Sequence, residues 1–153
     1  MIARLVLILM LLAGPVAACE VPSNLAALRT DLLALVNARR TEAGLPVVHN
    51  DARLGRVAQD QACRMADRAR LTHRGRWFAG LGRRLRRADY PYAMAVENIG
   101  EGQRDAREIV AGWMDSREHR LNLLAPGARD VGFGVAVAAT GRLNWSMVAA
   151  AAR

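Results

Sequence analysis

Apolar residues recur at three- and four-residue intervals in three stretches of the chain, and each predicts a helix packed on one side. Leu25, Leu28, Leu32, Leu35 and Val36 form the first stripe; Ser23 or Asn24 can cap it, and Gly44 and Pro46 stop it. A second helix is expected from about Asp51, with Leu54, Val57, Ala58, Ala62, Met65, Ala66 and Ala69 on one face. A looser segment over residues 72–77 leads to a short helix near residues 78–88 that carries Leu81 and Leu85, and Tyr90-Pro91-Tyr92 breaks it. Arg104-Asp105 opens another helix, with Ile109, Val110, Trp113 and Met114 inward. The period then changes to two. Val131, Phe133, Val135 and Val137 alternate with Gly132, Gly134, Ala136 and Ala138, a strand with one bulky face and one nearly bare. The bare face would let a helix pack close. Thr140-Gly141 turns the chain into residues 143–151, an antiparallel partner strand.

These elements fit one domain, residues 25–151, in a chain of 153. Residues 1–18 read as a secretory signal: Arg4, an apolar run from Leu5 to Ala13, then Gly14-Pro15 and the small residues Val16-Ala17-Ala18. The run is shorter than the roughly 20 residues that span a bilayer. The expectation is an exported, monomeric protein, periplasmic or extracellular. All the basic residues are arginine, and losing Arg4 with the leader takes the formal charge from +8 to +7. Arg74, Arg76, Arg83, Arg84, Arg86 and Arg87 crowd one window. We read them as a solvated face; the other reading is a patch for anionic partners. No nucleic-acid motif accompanies them, so nucleic acid is not an expected partner.

Two cysteines leave two readings open. An exported chain with an even cysteine count usually pairs them, which would join Cys19 to Cys63. Val16-Ala17-Ala18-Cys19 can also pass as a lipobox, in which case Cys19 would carry lipid and tether the protein to a membrane.

Candidate chemistry gathers in three separated stretches: Leu71-Thr72-His73, Val96-Glu97-Asn98-Ile99-Gly100, and Trp113-x-x-Ser116-x-x-His119-Arg120-x-Asn122-x-Leu124. Imidazole and carboxylate bind divalent metals and move protons near neutral pH, so His73, Glu97 and His119 are the first candidates. Each has an ordinary explanation too. His73 can be a polar residue past a helix end, Glu97 an ion pair with one of the arginines, and Trp113 a core residue. His49, the third histidine, reads as an exposed loop residue. Asn98 reads as a turn or cap side chain, and Arg120 and Asn122 as braces on the loop after His119.

Taken together the stretches resemble the CAP superfamily of cysteine-rich secretory, antigen 5 and pathogenesis-related proteins, in its compact bacterial SCP-like form. The resemblance runs from about Leu32 to Val148, through LLALVNARRTEAGLPVV, LGRVAQDQACRMADRARLTH, VENIGEG and VAGWMDSREHRLNLLAPGARDVGFGVA in that order. It implies an α/β fold, a three-layer α/β/α sandwich with a small antiparallel sheet. It also implies a cleft in which Glu97 contacts His73 and His119. Two departures stand out: Ser116 occupies the place of a second glutamate, and Asn144-Trp145-Ser146-Met147 keeps the tryptophan of the family's Tyr-Trp-Thr-Gln but not the glutamine. If the helix of Trp113 runs on, Ser116 and His119 share a face and Glu118 is turned away.

His73 and His119 are then the candidate metal ligands, with Ser116 beside them and Glu97 holding a water, and Zn²⁺ the candidate cofactor, weakly bound. The main expectation is a module that binds a small-molecule, lipid or cell-wall ligand. The alternative is a metal-assisted hydrolase acting on peptide, cell-wall or lipid substrates, with Glu97 as candidate catalytic residue. No Gly-x-Ser-x-Gly elbow, HExxH or phosphate loop offers other chemistry.

Overall fold

The structure, a computed structural model, describes residues 19–75 and 79–153. The expected leader therefore lies outside the described residues, as do Arg76, Trp77 and Phe78. The elements run α1 (Leu25–Glu42), β1 (His49–Asn50), α2 (Ala52–Arg68), α3 (Leu81–Arg87), β2 (Tyr92–Glu101), α4 (Ala106–Asp115), α5 (Arg117–Leu123), β3 (Asp130–Val137) and β4 (Leu143–Ala152). The strands form one sheet in the order β1-β3-β4-β2. The three long strands are antiparallel, as expected. The two-residue β1 adds a short parallel pairing to β3, so His49 is an exposed strand residue rather than a loop residue.

Layers follow from the alternation along β3. Its bulky face, Val131, Phe133 and Val135, joins Trp145 and Met147 of β4 in a core covered by α1, α4 and α5, which contribute Leu32, Val36, Ile109, Trp113 and Leu123. On the other face Val148 and Ala150 pack against Leu54, Val57 and Ala58 of α2 and Leu85 of α3. Here the bare positions matter. A Cβ built on Gly132 would overlap backbone atoms of Leu54 and Gly55, and one on Gly134 those of Ala58 and Gln59. Helix α2 lies directly on the strand. Asp51 starts it by accepting from the amides of Arg53 and Leu54, and Ala69, in the left-handed region at φ 46°, ends it. Ala69 is thus an exposed cap and not part of the buried stripe.

Both long sheet edges meet side chains. Along β3, Gln59 donates to the carbonyl of Val135 (2.8 Å) and accepts from its amide (3.2 Å), Arg29 donates to the carbonyl of Phe133 (3.0 Å), and the amide of Val137 donates to the carbonyl of Glu20. Along β2, the carbonyls of Glu97 and Ile99 accept from Asn122 and Trp113. Arg40, fully buried, donates to the carbonyls of Pro46, Leu123, Ala125 and Ala128, tying the end of α1 to the approach to β3.

Cys19 and Cys63 form a disulfide with Cα atoms 5.4 Å apart, which fastens the first described residues to the middle of α2. A sulfur held in this bond has no valence left for a thioether. Alkylation is expected to label both cysteines only after reduction. An acyl mass at Cys19 with a free thiol at Cys63 would reinstate the lipid-tethered reading. Among the described residues no helix is long and apolar enough to cross a membrane.

Candidate functional site

The site forms around the free edge of β2, where consecutive side chains point to opposite faces of the sheet. Glu97 faces the α2–α3 side and Asn98 the α5 side. Beyond α2, Gln61 donates its amide to the carbonyl of Thr72 and so sets the path of the next residue, His73. The His73 imidazole meets Glu97 with Nδ1 2.9 Å from Oε1. The other carboxylate oxygen, Oε2, accepts from Arg84 Nη2 at 2.5 Å. The same guanidinium nitrogen donates, more loosely at 3.4 Å, to the carbonyl of His73.

Burial gives each partner a different part. The Glu97 and Arg84 side chains are 4% and 7% exposed, whereas that of His73 is 57% exposed. A carboxylate only accepts, so Nδ1–H of His73 is the donor to Glu97, as Nη2 of Arg84 is to the other oxygen. The pair explanation for Glu97 and the cleft explanation hold together: one oxygen serves each.

His119 is brought in from the other side. Helix α4 ends at Asp115; Ser116 is extended (φ −85°, ψ 125°) and serves as N-cap to α5. The helix does not run through, so the shared-face argument for Ser116 and His119 fails, and Ser116 marks the junction instead. Asn98 is a buried strand residue rather than a turn residue; its amide donates to the carbonyl of His119 at 2.8 Å, and its Oδ1 accepts from Asn122 at 3.0 Å. Arg120 donates to the carbonyl of Met114 at 2.9 Å and so braces the α4–α5 junction before His119, not the loop after it. Glu118 is exposed.

The His119 imidazole is held below the usual pKa of its type, first by burial and then by the charge of His73, with Glu118 opposing weakly. An NMR titration is expected to give His119 a midpoint below the ordinary imidazole value of about 6.5. As pH falls the unfolded chain then takes up this proton first. The His119 contribution to stability is therefore intact above the ordinary value and declines as pH drops through it toward the lower folded value. A midpoint at or above the ordinary value would contradict the burial assigned to this ring.

Whether these groups fit a metal is decided by what they already hold. Each Glu97 oxygen is engaged, and the guanidinium of Arg84 sets a positive charge directly beside any cation at Glu97. Among the described residues no group of three or more His, Cys, Asp or Glu side chains could hold a metal ion. Two imidazoles suit a weak, open two-donor site. They do not fit a zinc centre with three or four protein ligands.

Arg84 is the residue that the sequence reading passed over, as one more member of a solvated arginine run. The signal was present. Leu81, Arg84, Leu85 and Ala88 stand at i, i+3, i+4 and i+7, so Arg84 occupies the apolar stripe of its helix.

A model of the cysteine-rich secretory protein (CAP) family matches residues 33–149. The chain is 30% identical over 113 residues to the protein YkwD of Bacillus subtilis (strain 168), an alignment that takes in 74% of this chain and 44% of the relative's length. Among solved structures it is similar to an outer surface protein of Borrelia burgdorferi, with a TM-score of 0.80 at 15% identity, covering 89% of this chain and 100% of that one. It is also similar to an extracellular SCP-domain protein of Bacillus anthracis, with a TM-score of 0.70 at 25% identity, covering 80% of this chain and 40% of that one. A cysteine-rich secretory protein of Staphylococcus aureus superposes with a TM-score of 0.67 at 21% identity, over 82% and 39%.

Proposed function

The chain belongs to the cysteine-rich secretory protein (CAP) family, and from that membership we propose that it is an exported envelope module whose His73–Glu97–His119 cleft binds a ligand without turning it over. The observation that carries this reading is the state of Glu97. A carboxylate that activates water, or holds a catalytic metal, needs an oxygen free to do so. Here each oxygen already holds a side chain and the carboxylate is 4% exposed, so water has little access to it, and what reaches solvent is the His73 ring. The two imidazole rings suit hydrogen bonds to a small polar, lipid or cell-wall ligand. The likeness to an extracellular protein of Bacillus anthracis and a secretory protein of Staphylococcus aureus supports export. Periplasmic and extracellular placement both accord with it, as does a monomer.

A divalent metal enters this reading only as a weak occupant of the two imidazoles. Calorimetric titration with Zn²⁺ is expected to give a Kd of about 1 μM or weaker, roughly 8 kcal/mol of binding at most. His73→Ala and His119→Ala should each remove it. Equal binding by all three proteins would refute the assignment of the ligands. Stoichiometric metal retained through purification, with peptide or ester hydrolysis lost on its removal, would overturn the binding-module reading in favour of the hydrolase.

A further inference from the structure

A second cleft, of about 640 Å³, runs along the outer side of α2 and shares only Arg84 with the histidine site. Its charged lining is lopsided: Arg29, Arg56, Arg64, Arg84 and Arg87 against the single carboxylate Asp60. These arginines come from three helices. Arg29 reaches over from α1 and is fixed in place, its Nε on the carbonyl of Phe133 and its Nη2 2.9 Å from Gln59 Oε1. Arg56 and Arg64 rise from α2, and Arg84 and Arg87 from α3.

Arg84 adds an independent sign. Its residue is 7% exposed, and although Nη2 is committed to Glu97 and His73, Nε and Nη1 are buried with no hydrogen-bond partner among the described residues. A buried guanidinium with unmet N–H groups is costly, and such groups in a native protein usually answer to a bound ion or water. An oxyanion supplies the missing acceptors. Guanidinium forks lining one cleft from three helices suit a group with three equivalent terminal oxygens better than one with two. The volume leaves room for a substituent beyond the anion itself.

We propose that this cleft binds a phosphate monoester, held by Arg84 and Arg87 from α3 and Arg56 from α2. The proposal stands apart from the function assigned to the histidine cleft, since it needs neither His73 nor His119. The phosphoryl group could belong to a soluble ester or to a lipid headgroup, and the same chemistry recognises both.

Inorganic phosphate is the first probe, titrated calorimetrically into the full chain in chloride buffer. The expected result is saturable binding that weakens at least about tenfold in R56A/R87A, the effect of losing two charged hydrogen-bonding partners. The control is R83A/R86A, which removes equal charge from the exposed side of α3 and is expected to bind as the unsubstituted protein does. Circular dichroism of both pairs verifies that they fold, since all four side chains are exposed. No saturable phosphate binding, or equal weakening by the two pairs, would overturn the proposal. Sedimentation with phosphatidylcholine vesicles carrying phosphatidic acid then separates the sources. Co-sedimentation that R56A/R87A abolishes and R83A/R86A preserves identifies a lipid headgroup. Phosphate binding without co-sedimentation identifies a soluble ester.

Discussion

Replacing Arg84 by alanine is expected to destabilise the domain by about 3 kcal/mol or more, because it leaves a buried carboxylate without its cation. Glu97 would keep only the exposed imidazole of His73 as a partner, and 4% exposure of its side chain gives water little access. Urea unfolding should show the loss as a lower midpoint with an unchanged slope. The double variant Arg84→Met/Glu97→Leu tests the cause. If the loss comes from an orphaned charge and not from packing, removing both charges together should restore much of the stability. A double variant weaker than Arg84→Ala would mean that the guanidinium acts mainly through volume.

The second large effect is expected from a single methyl group at Gly134, which in most strands would be harmless. The atoms a Cβ would strike are the carbonyl carbon and oxygen of Ala58 and the amide nitrogen of Gln59, all backbone of α2. No side chain can rotate away, so the helix must lift from the sheet. Overpacking of this kind typically costs about 1–3 kcal/mol, and Gly134→Ala should fall at or beyond the upper end. Gly112, in α4 with nothing near its hypothetical Cβ, provides the control. There alanine should be neutral or slightly stabilising through helix propensity, by up to about 1 kcal/mol. Equal melting shifts for the two variants would refute the close approach of α2 to β3.

That approach is legible in the sequence, in the alternation of valine and phenylalanine with glycine and alanine over residues 131–138. So are α1, α2 and α4, whose apolar stripes are long and regular. Strand β2 is not. Its interior positions include Glu97 and Asn98, polar residues that become buried only because Arg84 and Asn122 meet them from other parts of the chain. Periodicity cannot register a partner that distant. Strand β1 is too short to carry a period at all.

The candidate site divides along the same line. His73 and Glu97 were named from the sequence and meet directly, as the resemblance implied. The sequence left open whether the helix of Trp113 runs past Ser116; it does not, and Ser116 takes the N-cap place for which serine is favoured. Arg84 and Arg40 share a further signature: each continues an apolar stripe, Arg40 following Leu28, Leu32 and Val36 at four-residue spacing. An arginine on such a stripe announces buried acceptors elsewhere in the chain, without saying where they are.

The side chains laid along β2 and along the part of β3 that β1 leaves uncovered have a consequence for how copies of this protein behave in a crowd. An unfilled strand margin is a template on which a neighbour's backbone can pair, and repeated pairing builds aggregates. Gln59 answers both backbone groups of Val135 as a neighbouring strand would, and Trp113 and Asn122 occupy the opposite margin. A handful of helix residues thus occupies backbone groups that would otherwise be open to edge-to-edge pairing. Loss of Gln59 or Asn122, which lie outside the buried core, is expected to surface as self-association in sedimentation, whereas loss of Trp113 would also open the core and lower the melting temperature.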